Sequence, residues 1–323
     1  MGSCQSGRFG LTDDKSFLMQ SRSVMAEKHR LFLENRGIIA VSGEEATSFL
    51  QGLVSNDVTK VSNEQAVYAA FLTPQGKFLF DFFILRDGGR LLLDCEADRA
   101  DDLMRRLNMY KLRSKVSLEN ATGDYRVIAL IGEDALASLG LDPVPGMAKP
   151  LDGGIVFVDP RLSALGARAI LPGDKAEAAP FLNDFTQIGN DAYDRLRLEL
   201  GIADGARDLT VEKALLMESG FDELNGIDWD KGCYMGQETT ARTKHRGLVK
   251  KRLMPVMIDG PLPAAGMPVF SGDREIGEMR SGRDGLALAL TRPEELDPEN
   301  GPAPPFTPGE ALATPPSPTP AST

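Results

Sequence analysis

Apolar and polar positions alternate along the chain in a way that predicts strands between residues 26 and 292. Runs such as VYAAFL and KFLFDFFIL are rich in β-branched and aromatic residues and are bounded by turn residues. Strands are predicted in this way at residues 67–72, 77–85, 90–95, 125–131, 155–159 and 167–171. The first three are joined by the short turns TPQG and DGG, so we expect an antiparallel meander.

The segments around these strands include three predicted helices. Ser42 and Glu45 have the spacing of a capping box, which predicts a helix that ends near Gly52. Asp98 is expected to cap a second helix, and a third is predicted over about residues 190–200. Because the strands and helices mix without a steady βαβ rhythm, the pattern indicates α+β domains rather than one doubly wound sheet.

Composition changes this picture at both ends of the chain. Residues 1–25 show no sustained period, and residues 293–323 hold ten of the 21 prolines, so both segments are expected to be disordered. Residues 26–247 carry the α+β pattern. Short strands separated by Pro, Gly and Asp turns predict a small all-β domain over residues 248–292.

Charge and hydropathy limit the classes of function. The net charge of −11 argues against a broad nucleic-acid-binding surface. No run of about 18 apolar residues and no secretory signal pattern is present, so we expect no membrane partner and a cytoplasmic location. A local excess of Lys and Arg over residues 242–252 is either a solvated strand face or a docking surface, and the sequence does not separate the two.

Cys233 is the sharpest candidate for chemistry. Gly232 and Gly236 flank it, Lys231 precedes it, and GQETTARTK predicts a helix that begins just after it. The positive end of a helix and a nearby lysine both favour the thiolate, which attacks electrophiles or binds metal. A buried, inert cysteine in a turn explains the same residues equally well.

Residue counts exclude several other classes of site. A thiol hydrolase needs a histidine base in a suitable place, and His29 and His245 are the two histidines of the chain. An iron-sulfur cluster held by this chain alone needs about four ligands, whereas its three cysteines are scattered. The phosphate-binding motifs GxxxxGK[ST] and GxGxxG are missing from the sequence.

Two carboxylates stand at positions that predict burial or partial burial. Asp81 lies within the strand KFLFDFFIL, where it is predicted to share a face with Leu79 and Phe83. A charged carboxylate there needs either a structural partner or a ligand. Glu199 lies at the edge of the apolar stripe of the third helix, where the simpler interpretation is an ion pair with Arg195.

The eight residues KGCYMGQE (231–238) closely resemble the signature of the YgfZ-type folate-binding proteins, which act in iron-sulfur cluster assembly and repair. That group is related to the T protein of the glycine cleavage system, a tetrahydrofolate-dependent aminomethyltransferase. The resemblance continues in order through FLQGLVSNDV, YAAFLTPQGKFLFDFFI, YKLRSKV, RLRLELGI and IGEMRSGRDGLALALTR. It implies a three-domain cloverleaf, in which two interleaved α+β domains, the inner one over about residues 49–118, and a C-terminal β-barrel surround a central folate site.

The resemblance also implies which residues bind tetrahydrofolate. Asp81 is similar to the carboxylate that faces the reacting nitrogens of the folate, and Glu199 to the acid that holds the pterin ring. Tyr234 is expected to belong to the same site. An ionised acid can accept two hydrogen bonds from the planar donor pair of a pterin.

For the cysteine loop, the resemblance implies a reactive Cys233 that contacts iron or a cluster transiently, in a site shared with a partner. Lys231 would keep the thiol ionised, and Gln237 and Glu238 would shape the loop. Arg242 would contribute from the helix that follows. The expected partners are iron-sulfur client or carrier proteins.

Three hypotheses follow from the sequence. The first is a folate-binding accessory factor in the assembly, delivery or repair of [4Fe-4S] clusters on client enzymes, including those that modify tRNA. The second is an enzyme, a folate-dependent aminomethyl or one-carbon transferase; Phe80 disfavours it, because it stands where the transferases place the first of two adjacent acids. The third is a scaffold in which Cys233 is inert.

Overall fold

The computed structural model describes residues 26–247, 249–292, 308 and 311–314. Its strands are β1 (His29–Phe32), β2 (Arg36–Ser42), β3 (Val67–Leu72), β4 (Phe78–Asp87), β5 (Arg90–Glu96), β6 (Ser117–Asn120), β7 (Tyr125–Ile131), β8 (Ala148–Leu151), β9 (Gly154–Val158), β10 (Ala167–Pro172), β11 (Thr186–Gln187), β12 (Arg252–Asp259), β13 (Pro268–Ser271), β14 (Arg274–Arg283), β15 (Leu286–Thr291) and β16 (Leu312–Thr314). Its α-helices are α1 (Ala46–Gln51), α2 (Ala100–Lys111), α3 (Ala135–Ser138), α4 (Gly173–Ala176), α5 (Asn190–Glu199), α6 (Gly205–Asp208) and α7 (Gln237–Arg246). None of the helices in these residues is both long and apolar enough to cross a membrane.

The first sheet has the strand order β3-β4-β5-β2-β6, and all of its pairs are antiparallel. The predicted meander is therefore confirmed as β3, β4 and β5. One face of the sheet is covered by α1 and α2, which bury Phe49, Leu50, Leu103 and Leu107 against it.

The pairing within this sheet shifts at the start of β4. Phe71 pairs with Phe80 but Leu72 pairs with Phe78, so the register slips by one residue between them. As a result, Phe78 packs on the opposite face from Leu79 and Phe80. The prediction that Leu79 shares a face with Phe83 is wrong, because it assumed a strand without a bulge.

The second sheet has the order β11-β1-β7-β10-β9-β8 and packs against the first through a shared apolar core. Tyr68 and Phe83 of the first sheet meet Phe157 of the second, with the two phenylalanine rings 6.1 Å apart. The short pair of β1 and β11 is parallel, and the other pairs of this sheet are antiparallel. This arrangement leaves both faces of β4 buried, as its sequence predicts.

The third sheet has the order β13-β14-β15-β12-β16, and α5 packs on it through Leu198, Leu286 and Leu288. Its last strand, β16, pairs with β12. The prediction of a disordered tail is therefore wrong for Leu312–Thr314, because backbone pairing at a sheet edge needs no long apolar run. The segment of residues 1–25 lies outside the described residues.

Two predicted helix starts differ from the structure. Ser42 ends strand β2 instead of capping α1, and the side chain of Glu45 accepts a hydrogen bond from the Lys115 amide at 2.7 Å. Asp98 lies in a short 3-10 helix, Ala97–Arg99, that precedes α2. At the first place a tertiary contact takes the Glu45 side chain that local spacing assigned to the capping box. At the second, the extra 3-10 turn places Asp98 too far ahead of α2 to cap it.

Candidate functional site

Cys233 is exposed and lies four residues before α7, which confirms the predicted helix. The other described cysteine, Cys95, is buried in β5, and burial raises the pKa of its thiol to about 12. Of these two thiols, only that of Cys233 is accessible to a partner. No group of three or more His, Cys, Asp or Glu side chains in the described ranges is placed to hold a metal ion.

Gly236 fixes the cysteine loop against the turn between β3 and β4. Its φ of 79° lies in the left-handed region, and an added Cβ would lie 2.4 Å from the Thr73 carbonyl oxygen. The Thr239 hydroxyl donates to the Gln75 carbonyl at 2.8 Å from the first turn of α7. Only glycine fits at position 236. The prediction that a glycine here allows a positive φ is therefore confirmed for Gly236.

Gly232 does not have this role. A Cβ at this position meets no atom within 4 Å, and its φ is not in the left-handed region. The loop therefore does not need glycine at position 232 for its own packing. The open space instead leaves the backbone next to Cys233 accessible from outside.

Lys231 anchors the loop to the end of α1. Its ammonium donates to the carbonyl oxygens of Gln51 (3.0 Å), Val54 (2.6 Å) and Asn56 (2.6 Å). It also lies 5.1 Å from the centre of the Tyr234 ring. Burial lowers the pKa of this ammonium to about 8. These contacts establish an anchoring role, whereas the predicted effect of Lys231 on the Cys233 thiolate stays a prediction.

Replacing Lys231 with methionine tests this anchor. Met fills a similar volume but leaves three half-buried carbonyl groups without their donor, so we expect a loss of about 1–3 kcal/mol in the free energy of unfolding. We also expect faster hydrogen exchange of the amides in residues 229–235. Lys115→Met is the matched control, because Lys115 donates to Glu44 at the surface and both side chains are more than 70% exposed. Unchanged exchange in Lys231→Met would show that the ammonium does not hold the loop.

The remaining predicted loop residues take three different positions. The Gln237 side-chain oxygen accepts a hydrogen bond from the Tyr234 amide at 3.2 Å, which agrees with a role in shaping the loop. Tyr234 is buried in the core between the two sheets, and burial raises the pKa of its hydroxyl to about 12. Glu238 and Arg242 are exposed one helical turn apart on α7.

Asp81 is buried beside Tyr68. The Tyr68 hydroxyl donates to Asp81 Oδ2 at 2.9 Å, while Oδ1 is buried and has no hydrogen-bond partner. Burial raises the pKa of Asp81, although Arg36 and Tyr68 act in the opposite direction. Because an orphaned carboxylate oxygen is costly in a protein interior, Oδ1 fits a ligand that brings an N–H donor.

Tyr68 lines one of two cavities in this region, and Asp81 itself lines neither of them. The larger, of about 370 Å³, is lined by Tyr68, Asn56 and Asp228, so it adjoins the anchor of the cysteine loop. The smaller, of about 280 Å³, is lined by Arg36 and Asp204, the charges of which act on the pKa of Asp81. The β3–β4 hairpin connects Asp81 with the cysteine loop. Asp81 lies in β4, and Gly236 of the loop packs against the turn of the same hairpin.

Glu199 is placed less favourably for the predicted role. It ends α5, and its Oε1 accepts a hydrogen bond from Arg195 Nε at 3.0 Å. This is the i, i+4 ion pair of the simpler interpretation. A ligand at Glu199 would have to share the carboxylate with Arg195.

Sequence reasoning missed a buried chain of ion pairs between the two sheets. Arg36 contacts Asp94 at 2.6 Å, and Arg168 contacts Asp94 at 3.1 Å and Asp159 at 3.3 Å. Arg161 closes the chain on Asp159 at 2.8 Å. The signal was a charged residue inside an apolar strand, as in RLLLD and ARAIL, which indicated a buried charge but not its partner.

Comparisons with known proteins agree with this architecture. The model described as the GCVT N-terminal domain matches residues 33–140, and that of the CAF17 C-terminal beta-barrel domain matches residues 250–321. The crystal structure of glycine cleavage system aminomethyltransferase T from Bartonella henselae superposes with a TM-score of 0.73 at 19% identity, over 92% of this chain and 86% of that one. The predicted α+β fold of the T-protein type with a C-terminal β-barrel is confirmed. The domain boundaries up to residue 292 stay a prediction.

Two curated relatives are similar over most of the chain. The iron-sulfur cluster assembly factor IBA57 homolog, mitochondrial, of Pyricularia oryzae is 33% identical over 81% of this chain and 71% of its own length. The mitochondrial iron-sulfur cluster assembly factor IBA57 of Mus musculus is 32% identical over 82% of this chain and 77% of its own length.

These relatives correct two expectations. They carry the IBA57 name, so the YgfZ-type resemblance identified a nearby family and is not confirmed as the family of this chain. They are also named as mitochondrial proteins, so the prediction of a cytoplasmic location is wrong on this comparison. Composition cannot distinguish these two compartments, since it gave only the absence of a secretory signal and of a membrane span.

Proposed function

The chain belongs to the family of the IBA57 iron-sulfur cluster assembly factors, and from this premise we propose that it assists the assembly, delivery or repair of [4Fe-4S] clusters on client enzymes. The clients would include enzymes that modify tRNA. The partners are iron-sulfur client or carrier proteins, and a cluster is the cargo of the reaction rather than a resident cofactor.

The observation that carries this proposal is the exposed thiol of Cys233 on an anchored loop. Lys231 holds one side of the loop through three carbonyl groups, and Gly236 holds the other against the β3–β4 turn. One thiolate supplies one of the about four ligands that a cluster needs. The remaining ligands must therefore come from a partner, for which the open backbone at Gly232 leaves room.

The side chains around Cys233 have two different roles: some hold the loop in place, and others are exposed to a partner. Lys231 and Gln237 fix the loop from the inside, while Glu238 and Arg242 lie on the exposed surface of α7 where a partner would contact them. Lys244 stacks on Trp229 with its ammonium 3.7 Å from the ring centre, which braces the helix against the start of the loop.

We also propose that the chain binds tetrahydrofolate next to this loop, with Asp81 as the main contact. Support comes from the buried Oδ1 of Asp81, which lacks a donor, and from two cavities lined by neighbours of Asp81, one by Tyr68 and the other by Arg36. Bound folate would supply reduced one-carbon chemistry; the residues of this chain would hold and orient it. Glu199 fits less well because of Arg195, and Tyr234 would act from the buried wall rather than by direct stacking.

Thermal unfolding with added tetrahydrofolate tests the folate half of the proposal. At a hundredfold excess over Kd, a ligand of the native state stabilises it by about 3 kcal/mol, so we expect the Tm of the wild type to rise. Asp81→Asn keeps an acceptor for Tyr68 but turns an N–H donor toward the ligand, so we expect at least about tenfold weaker binding. Each variant is compared with its own ligand-free Tm. If millimolar tetrahydrofolate leaves the wild type unchanged, folate binding is wrong while the cluster function is untouched.

A further inference from the structure

Leu112 occupies a backbone conformation that a leucine rarely adopts. It follows α2 directly, with a φ of 44° and a ψ of −108°, and the Ser114 amide donates to the Lys111 carbonyl at 2.8 Å. This is the geometry of a type II′ turn with Leu112 at its first central position, where glycine is the usual residue. The turn is strained by the side chain it carries.

The side chain of Leu112 has no packing role that would offset this strain. It is 88% exposed, and the adjacent Met109 and Tyr110 are 55% and 36% exposed. Together these three residues form an exposed apolar patch, which we call the Leu112 patch. Tyr110 gives the patch a fixed base, since its ring meets Phe71 edge-on with the ring centres 5.9 Å apart.

The Leu112 patch adjoins the same end of the β3–β4 hairpin as the cysteine loop. Tyr110 packs on Phe71, which faces α1 and α2, while Gly236 packs on the neighbouring Leu72, which faces the opposite side of the sheet. Met235 packs into the same apolar cluster as Phe71. The patch and the cysteine loop are therefore both packed on the β3–β4 hairpin, so a protein that docks on this hairpin can contact both.

Charge around the patch indicates the chemistry of that protein. Lys111 and Arg113 are cations on either side of Leu112, whereas the next cation, Lys115, is paired with Glu44 at 2.8 Å. The last turn of α7, the helix that follows the cysteine loop, adds exposed Lys244, His245 and Arg246. Apolar side chains inside a basic surface complement an apolar pocket with an acidic rim.

We propose that the Leu112 patch docks into an apolar pocket, rimmed by Asp and Glu, on the iron-sulfur protein that receives or shares the cluster at Cys233. This inference rests on the proposed cluster function and adds the surface that recognises the partner. The strained turn holds Leu112 outward, so the side chain is presented without reorganisation when the partner binds.

The turn itself supplies a sharp test, because Leu112→Gly removes the side chain and suits the backbone. We expect the Tm of Leu112→Gly to equal or exceed that of the wild type, by up to roughly 4 °C. Alkylation of Cys233 is expected to proceed at the wild-type rate. In cells that depend on the variant, the activity of [4Fe-4S] enzymes is expected to fall about tenfold, the effect of losing one buried leucine from an interface.

Two further variants separate docking from folding. Leu112→Met keeps an apolar side chain on the same strained turn and is expected to hold activity within about twofold of the wild type. Val144→Ser, at another apolar position that is 53% exposed, is expected to have no effect. Wild-type activity in Leu112→Gly, or an equal loss in Leu112→Met, would overturn the docking proposal.

Failure of this inference is distinguishable from failure of the cluster function. Loss of activity in Cys233→Ser with full activity in Leu112→Gly would contradict only the docking surface. Full activity in Cys233→Ser would contradict the cluster function on which the docking surface rests.

Discussion

Replacing Arg197 with methionine is expected to lower the free energy of unfolding by about 3–5 kcal/mol. Arg197 is buried in α5 and donates to Asp208 at 2.8 Å, to Asp194 at 2.7 Å and to the Ser281 hydroxyl at 2.7 Å. It thereby ties α5 to α6 and to the third sheet. The side chain of Asp208 is fully buried, and without Arg197 it keeps only the backbone donors of Asp204 and Ser281.

Denaturant unfolding of three variants measures this effect. Arg207→Met is the matched control: Arg207 contacts the same Asp194 but is 41% exposed, so we expect a loss of about 1 kcal/mol or less. Adding Asp208→Asn to Arg197→Met removes the uncompensated charge and is expected to recover part of the loss. If Arg197→Met unfolds within about 1 kcal/mol of the wild type, the buried pair does not hold these elements together.

The sequence predicted the central strands well because burial on both faces leaves a strong signal. The apolar run KFLFDFFIL predicts a buried strand without knowledge of its neighbours, and the structure has β4 at these residues. The bulge beside Leu72 was not predictable, since it depends on how β3 and β4 pair and not on either strand alone. Strand β16 was missed for a related reason, as its pairing with β12 depends on the fold of the whole third sheet.

The candidate site was predicted by residue type more successfully than by contact. The sequence identified Asp81 as a buried carboxylate in need of a partner, and the structure supplies Tyr68 on one oxygen only. It identified Lys231 as a neighbour of the thiol, but the ammonium turns to three carbonyl groups at the end of α1, about 180 residues away in the chain. Contacts between residues so far apart in the chain depend on the whole fold, and the spacing of residues within one segment does not predict them.

The second large effect is expected for Cys233→Ser, which changes one exposed atom. Because Cys233 lies at the surface and its loop is held by Lys231 and Gly236, the Tm of the variant is expected to match that of the wild type. The serine hydroxyl is not ionised near neutral pH and does not replace a thiolate as a ligand of iron. Transfer of clusters is therefore expected to fail while the fold persists.

Thiol labelling of the native protein establishes the premise of this experiment. Peptide mapping after brief alkylation should find Cys233 modified and Cys95 protected, with Cys95 reacting only after unfolding, because its thiol is buried and its pKa is raised to about 12. Equal labelling of the two cysteines in the native state would mean that the loop and β5 are not arranged as described.

The most direct test of the central claim is the activity of [4Fe-4S] enzymes in cells whose only copy of this protein carries Cys233→Ser. The account predicts that these activities fall to the level of cells lacking the protein, while a cluster-free dehydrogenase and the amount of the variant stay at wild-type levels. Cys4→Ser, which removes a thiol outside the described residues, should leave all of them unchanged. Wild-type activity of the [4Fe-4S] enzymes in the Cys233→Ser cells would contradict the account.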